Sequence, residues 1–209
     1  MRVAILGGTG SFGRALAARL AAGEDDDVVI GSRDADRAQV TAAELGGGRV
    51  TGATNEDAVR GVDLAVLAVK ADAALDTARD VADALGSTPL LSVASAIRFE
   101  KGRGMLPDPD GRSLAERVQD VVAAPVVAGL HSIAASNLED RPDEDALVCG
   151  DDDQAKSRAL ELAAKVVGGR AVDAGPLASA RALEGLTAVI VNLNRRYKAH
   201  AGIRVTGVE

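Results

Sequence analysis

Gly8, Gly10 and Gly13 stand in G-x-G-x-x-G spacing, directly after the apolar run Arg2 to Leu6 and directly before a helical pattern from Ser11 to Ala22. Close approach is what this spacing provides. One glycine permits a tight turn, a second lets backbone N–H groups reach a pyrophosphate, and the third lets the helix pack on the strand with its N-terminus facing the anion. The motif alone is weak, but a strand before it and a helix after it make it specific. The next strand end selects the dinucleotide. An acidic residue about 20 residues beyond the glycines would bind the ribose hydroxyls of NAD. Here Gly31, Ser32 and Arg33 occupy that place, with Arg37 one helical turn further on. A hydroxyl and two guanidinium groups satisfy a 2′-phosphate, which a carboxylate would repel. The expected coenzyme is NADP.

Few other side chains have acid–base character. His131 follows a strand-like run at the edge where α/β sheets bind ligands, and reads either as a structural hydrogen bonder or as a ligand contact. Lys70, at another strand end, reads either as a catalytic base or contact or as a surface lysine. His200 lies in a polar tail, Cys149 reads as a small buried residue, and Ser92, Ser95 and Ser132 lack the signature of an activated nucleophile. No Cys/His/carboxylate cluster has metal-ligand spacing, so no metal is expected. Hydride transfer between two organic coenzymes suits such a chain, because it needs stacking, alignment and exclusion of water more than a proton relay.

The elements that must position these groups alternate. Strands are expected at Arg2–Leu6, Val28–Ser32, 49–53, 63–69, 89–95, 125–130, 146–149 and 170–174, and helices at 11–22, 35–45, 71–85, 113–121, 151–167 and 178–194. A capped helical turn is expected at 55–59 and a long loop at 99–111 that closes over substrate or stays clear of it. Alternation with short connections predicts an α/β, Rossmann-type doubly wound, mostly parallel sheet. Residues 1–123 form the NADP-binding part. Residues 124–209 form a smaller C-terminal α/β extension that lengthens the sheet and completes a cleft.

The chain has 209 residues, a formal charge of −7 and one cysteine. The negative balance argues against nucleic acid as a partner. The lone cysteine excludes an internal disulfide and fits the cytoplasm. No apolar run is long enough to span a bilayer, and the first one ends too soon for a secretory signal, so no membrane partner is expected. The clusters Asp25–Asp27 and Asp151–Asp153 read either as the carboxylate-rich surface of an acidic proteome or as ordinary solvated loops. With only Phe12, Phe99 and Tyr197 as aromatics, the core must be Ala, Val and Leu.

Five segments carry a family resemblance: Gly7-Gly-Thr-Gly-Ser-Phe-Gly13, Gly31-Ser-Arg33, Leu130-His-Ser-Ile133, Val148-Cys-Gly-Asp-Asp-Asp153 and Asp173-Ala-Gly-Pro-Leu177. In this order, and over nearly the whole length, the chain resembles the NADPH-dependent coenzyme F420 reductases. The resemblance implies reversible hydride transfer between NADP(H) and the deazaflavin ring of coenzyme F420, with both rings stacked in a cleft of a homodimer. By position it implies that Thr9, Gly10, Ser11 and Phe12 hold the pyrophosphate, and that Ser32, Arg33 and Arg37 hold the 2′-phosphate. It places Val69, Ser95 and Ala135 on the nicotinamide side and His131 and Ile133 against the deazaflavin. The family pattern has a proline and an aromatic residue after Val69 and a histidine nearby, where this chain has Lys70, Ala71 and Ala73; Ser92 to Ser95 also lacks the pattern's prolines. These departures beside the ring cleft motivate one alternative, a reductase of the same fold acting on a flavin, an imine or a ferric chelate. A further alternative, a non-catalytic NADP-sensing protein, is opposed by His131 and the C-terminal motifs, since a sensor needs only the first unit.

Overall fold

The computed structural model describes residues 1–23, 25–46 and 48–208. Its frame is one eight-stranded sheet built from Arg2–Leu6 (β1), Asp27–Ser32 (β2), Val50–Thr54 (β3), Leu64–Leu67 (β4), Leu90–Ser92 (β5), Val126–Gly129 (β8), Ala146–Gly150 (β9) and Ala171–Asp173 (β10). The order across the sheet is β10-β9-β8-β5-β4-β1-β2-β3. Neighbours run parallel except β8 and β9, which pair antiparallel with Gly129 opposite Val148. Strands β1 to β5 and β8 therefore end along one edge, and β9 begins there.

Strand residues alternate between two cores. Val3 and Ile5 pack with Leu16 and Leu20 of α1 (Ser11–Ala21), Ala38 and Ala42 of α2 (Ala35–Glu44), and Ala159 and Leu162 of α7 (Asp153–Val166). Ala4 and Leu6 pack on the opposite face with Ala58 of α3 (Asn55–Ala58) and Ala78 and Val81 of α4 (Ala71–Leu85). That second face also takes Leu114 and Val118 of α5 (Leu114–Gln119) and Ala180 and Leu183 of α8 (Ala180–Tyr197). Fully buried strands of this kind read as unbroken apolar runs, because both faces are covered by helices.

Two expectations need correction. The stretch 99–111 is no plain loop: Ile97–Glu100 (β6) and Gly104–Pro107 (β7) pair antiparallel as a hairpin. The amide of Asn192 on α8 brackets Met105, accepting from its N–H at 2.9 Å and donating to its carbonyl at 2.8 Å. Gly102 and Gly104 take left-handed φ angles of 83° and 88°, which supply the turn that the glycine-rich composition concealed. The cluster Asp25–Asp27 is not simply solvated surface either. Asp26 is buried and pairs with Lys165 of α7 at 2.7 Å, fastening that helix beneath β2.

The two later family motifs meet at the sheet edge opposite the strand ends listed first. Gly150 N–H donates to the Gly175 carbonyl at 3.0 Å. Asp151 accepts from Leu177 N–H at 2.9 Å, and Asp152 caps α7 by accepting from Ala155 N–H at 2.8 Å. These contacts hold the turn that leads into α8.

Candidate active site

The glycine turn lies between β1 and α1. A Cβ on Gly8 would sit 2.9 Å from both Ile30 Cγ2 and the Ile5 carbonyl, and one on Gly13 would sit 2.8 Å from Gly7 O and Gly8 Cα. Gly10 occupies the N-cap of α1, so no side chain closes its first turn, and no acidic residue stands there. The helix therefore presents unpaired N–H groups and the positive end of its dipole. Thr9 is half-buried, Gly10 and Ser11 are exposed, and Phe12 is half-buried against the core on the α1 face of the sheet.

Ser32 ends β2 and is buried, and its Oγ accepts from Asp34 N–H at 3.2 Å. The Asp34 carboxylate caps α2 by accepting from Arg37 N–H at 3.2 Å. Arg33 and Arg37 are exposed, and neither forms an ion pair among the described residues. Their charge is therefore not spent on the neighbouring Asp34 and Asp36. Asn55 Oδ1 sits over Gly31, 2.8 Å from where a Cβ would be, and has no hydrogen-bond partner among the described residues.

Four more segments complete the edge. Val69 follows β4 and packs on the glycine turn, since a Cβ on Gly7 would meet its Cγ1 at 2.6 Å. Lys70 beside it is exposed at the start of α4, with Ala71 and Ala73 half-buried behind it. After β8, Leu130 takes a left-handed φ of 63° although it is buried and β-carbon-bearing. Such a turn costs roughly 1–2 kcal/mol, and it swings His131 out of the strand direction toward β5. There His131 Nδ1 lies 3.0 Å from Ser95 Oγ, Ser95 Oγ lies 2.7 Å from Thr187 Oγ1, and Thr187 donates to the His131 carbonyl at 2.8 Å. Burial pushes the His131 imidazole down to about 4, so the ring is neutral through the physiological range. Ile133 is buried in the turn that follows, and Ala135 opens the short helix α6 (Ala135–Leu138) beside α1.

His131, Ser95, Val69, the glycine turn and Ser32–Arg33 thus form one row along adjacent strands β8, β5, β4, β1 and β2. Four inter-strand steps span roughly 19 Å. Phe12 and Ala135 flank the row, and Arg37 stands beyond its β2 end. His200 lies apart from it, exposed, with Nδ1 3.3 Å from Ser136 Oγ. Cys149 is buried, and burial pushes its thiol up to about 11, which makes it unreactive.

Sequence reading missed Thr187 and Glu184. Glu184 is buried on α8 and accepts from Ala115 N–H at 3.1 Å and Ala96 N–H at 3.4 Å, tying the segment after Ser95 to the start of α5. Burial raises its carboxyl above the usual range. Both residues share the helix stripe that carries Ala180 and Leu183. Polar groups at that three-residue spacing inside an apolar stripe were the available signal.

Glu144, just before β9, is also buried, and burial raises its carboxyl too. The unfolded chain releases this proton first, so ionisation subtracts from stability once the pH rises above the ordinary carboxylate range. Glu144→Gln is expected to raise Tm by a few degrees at about pH 8 and to leave it unchanged near pH 4, as thermal unfolding at the two pH values would check. An equal gain at both would mean that the carboxyl's ionisation costs nothing.

The cradle fits a dinucleotide. Its glycines leave room that any Cβ would fill, and buried polar atoms without partners among the described residues collect along the same edge: Asn55 Oδ1, Ser92 Oγ, His131 Nε2 and Ser132 Oγ. Ordered groups of this kind call for a ligand or water. Fold and site together define a dinucleotide-binding α/β protein of the oxidoreductase type.

Comparison with known proteins narrows this class. Residues 2–96 match the family model described as "NADP oxidoreductase coenzyme F420-dependent". The F420-dependent NADP reductase of Methanocaldococcus jannaschii is 34% identical, with the match covering 100% of both chains. The F420-dependent NADP reductase of Methanothermobacter marburgensis is 36% identical, covering 100% of this chain and 99% of the relative. A solved structure from Arthrobacter sp. FB24, provisionally assigned as an F420-dependent NADP reductase, superposes with a TM-score of 0.85 at 26% identity over 99% of each chain. The chain belongs to the F420-dependent NADP reductase family.

Proposed function

We propose that the protein transfers a hydride reversibly between NADP(H) and coenzyme F420. The observation that carries this is the full-length relationship: the relatives of that name match the later segment holding His131 and Thr187 as well as the nucleotide-binding half. In this reading the N–H groups of Thr9, Gly10, Ser11 and Phe12 hold the pyrophosphate at the α1 N-terminus. Ser32, Arg33 and Arg37 hold the 2′-phosphate. Val69, Ser95 and Ala135 line the nicotinamide side, and His131 and Ile133 bear on the deazaflavin. The two coenzymes supply the redox chemistry when bound. The chain's own task is to align them and exclude water, with aliphatic walls and no proton relay.

Residues 1–123 serve as the NADP-binding part, and 124–209 complete the cleft. The protein acts as a cytoplasmic homodimer on small-molecule coenzymes, with no nucleic-acid or membrane partner. No helix among the described residues is long and apolar enough to cross a membrane. Val189, Leu193 and Tyr197 lie one turn apart on the exposed side of α8, and Phe99 of the β6–β7 hairpin is exposed as well, which gives a second copy an apolar face to cover.

Anaerobic mixing of reduced F420 with NADP+ tests the reaction. Visible absorbance of the oxidised deazaflavin is expected to return stoichiometrically. Tight NADP binding with no return of absorbance would refute the assignment, and turnover of a flavin, imine or ferric chelate in its place would redirect it.

A further inference from the structure

Protons can be counted around the ring formed by Ser95, Thr187 and His131. The His131 carbonyl only accepts, so the Thr187 hydroxyl proton is committed to it at 2.8 Å. The 2.7 Å contact between Ser95 Oγ and Thr187 Oγ1 still needs one donor, and Ser95 alone has a proton left to give. That proton is then unavailable for the 3.0 Å contact with His131 Nδ1, so the ring nitrogen must be the donor there. A neutral imidazole protonated at Nδ1 carries its lone pair on Nε2. Nε2 is buried and has no partner among the described residues.

We infer that the Ser95–Thr187 hydroxyl pair holds His131 as the Nδ1–H tautomer, leaving Nε2 as a bare acceptor for a ring N–H or O–H of the second substrate. Ser95 and Thr187 are thereby positioning residues: they act through His131 and decide which sign of hydrogen bond the substrate must present. A deazaflavin has such donors in its pyrimidine N–H and its phenolic hydroxyl. A ring with only a lone pair at that place would oppose Nε2 and be rejected, which is specificity by repulsion. The depressed basicity of the buried ring supports this, since a protonated imidazole would donate from both nitrogens. The identity of the ring rests on the proposed function; the tautomer does not.

The test uses the full chain labelled with 15N at its two histidines, His131 and His200, with a His200→Gln variant for assignment. Long-range 1H–15N correlation without substrate is expected to give a protonated Nδ1 and a bare Nε2 for His131. An Nε2–H pattern or a fast average of the two tautomers would overturn the inference. Thr187→Val and Ser95→Ala should each release the ring into a tautomer mixture, and Thr187→Ser should restore the single form. Thr187→Val is further expected to raise KM for F420 about 3- to 10-fold, as for one lost neutral hydrogen bond, with KM for NADPH unchanged. Variants that keep the single tautomer, or a Thr187→Val enzyme whose two KM values rise together, would refute the positioning role. On saturation with oxidised F420 the Nε2 resonance should move toward the hydrogen-bonded position, and a saturated protein with no movement would remove the acceptor role. If F420 does not bind at all, the functional reading fails, while the substrate-free spectrum still decides the tautomer.

Discussion

Replacing Arg33 by Ala is expected to weaken NADPH binding about 10- to 150-fold, the loss of one charge-assisted hydrogen bond of about 1.5–3 kcal/mol, and to leave NADH binding nearly unchanged. The asymmetry follows from the end of β2. Ser32 accepts from Asp34 N–H, which leaves its hydroxyl proton free to donate, and the Asp34 carboxylate is occupied at the start of α2. Arg33 is exposed with no ion pair among the described residues, so its removal breaks nothing in the fold. Only a ligand carrying the 2′-phosphate loses a contact. Arg33→Lys should recover part of the affinity, because a point charge replaces the charge but not the planar fork. Paired titrations of NADPH and NADH against both variants decide the matter. Equal weakening of the two coenzymes would place the 2′-phosphate elsewhere.

The legible parts of the molecule are those whose cause is local. The glycine turn announces itself through spacing, and β4 through an uninterrupted apolar run. α4 announces itself through a 3.6-residue stripe that ends at Gly86, where the observed bounds 71–85 coincide with those read from the pattern. The place of Ser32 at the end of β2 and of Arg33 just beyond it is legible for the same reason, since it depends only on distance from the glycines. The hairpin at 97–107 was illegible because its strands are four residues each and owe their place to Asn192, 87 residues away from Met105. The His131 network was illegible in the same way. Its contacts join residues 36, 92 and 56 positions apart, and the stripe that places Thr187, the one threonine of α8, on the inner face of the helix does not say which residues it will meet there. The place of His131 after β8 nominates it, but position alone does not say whether such a histidine is structural or ligand-facing. The left-handed Leu130 and the hydroxyl pair are what turn it toward β5, and neither has a sequence signature, because leucine rarely takes that conformation.

Gly13→Ala tests the remaining premise, that the turn after β1 is the pyrophosphate seat rather than a structural corner. The new methyl would lie 2.8 Å from Gly7 O and Gly8 Cα, both backbone atoms that no rotamer change can move aside. Helix α1 must then lift from the turn. Overpacking of this kind costs about 1–3 kcal/mol, and at roughly 2–4 °C per kcal/mol for a chain of this size Tm should fall by about 2–12 °C. The sharper readout is the effect of ligand on Tm. In the unaltered protein NADPH raises Tm in proportion to the logarithm of its concentration over Kd, because it binds only the folded chain. In Gly13→Ala the N–H groups at the start of α1 no longer converge on one anion, so the rise with NADPH should vanish even though the variant remains folded. A variant that loses stability but keeps the full NADPH-induced rise would assign Gly13 to helix packing alone and move the pyrophosphate off this turn.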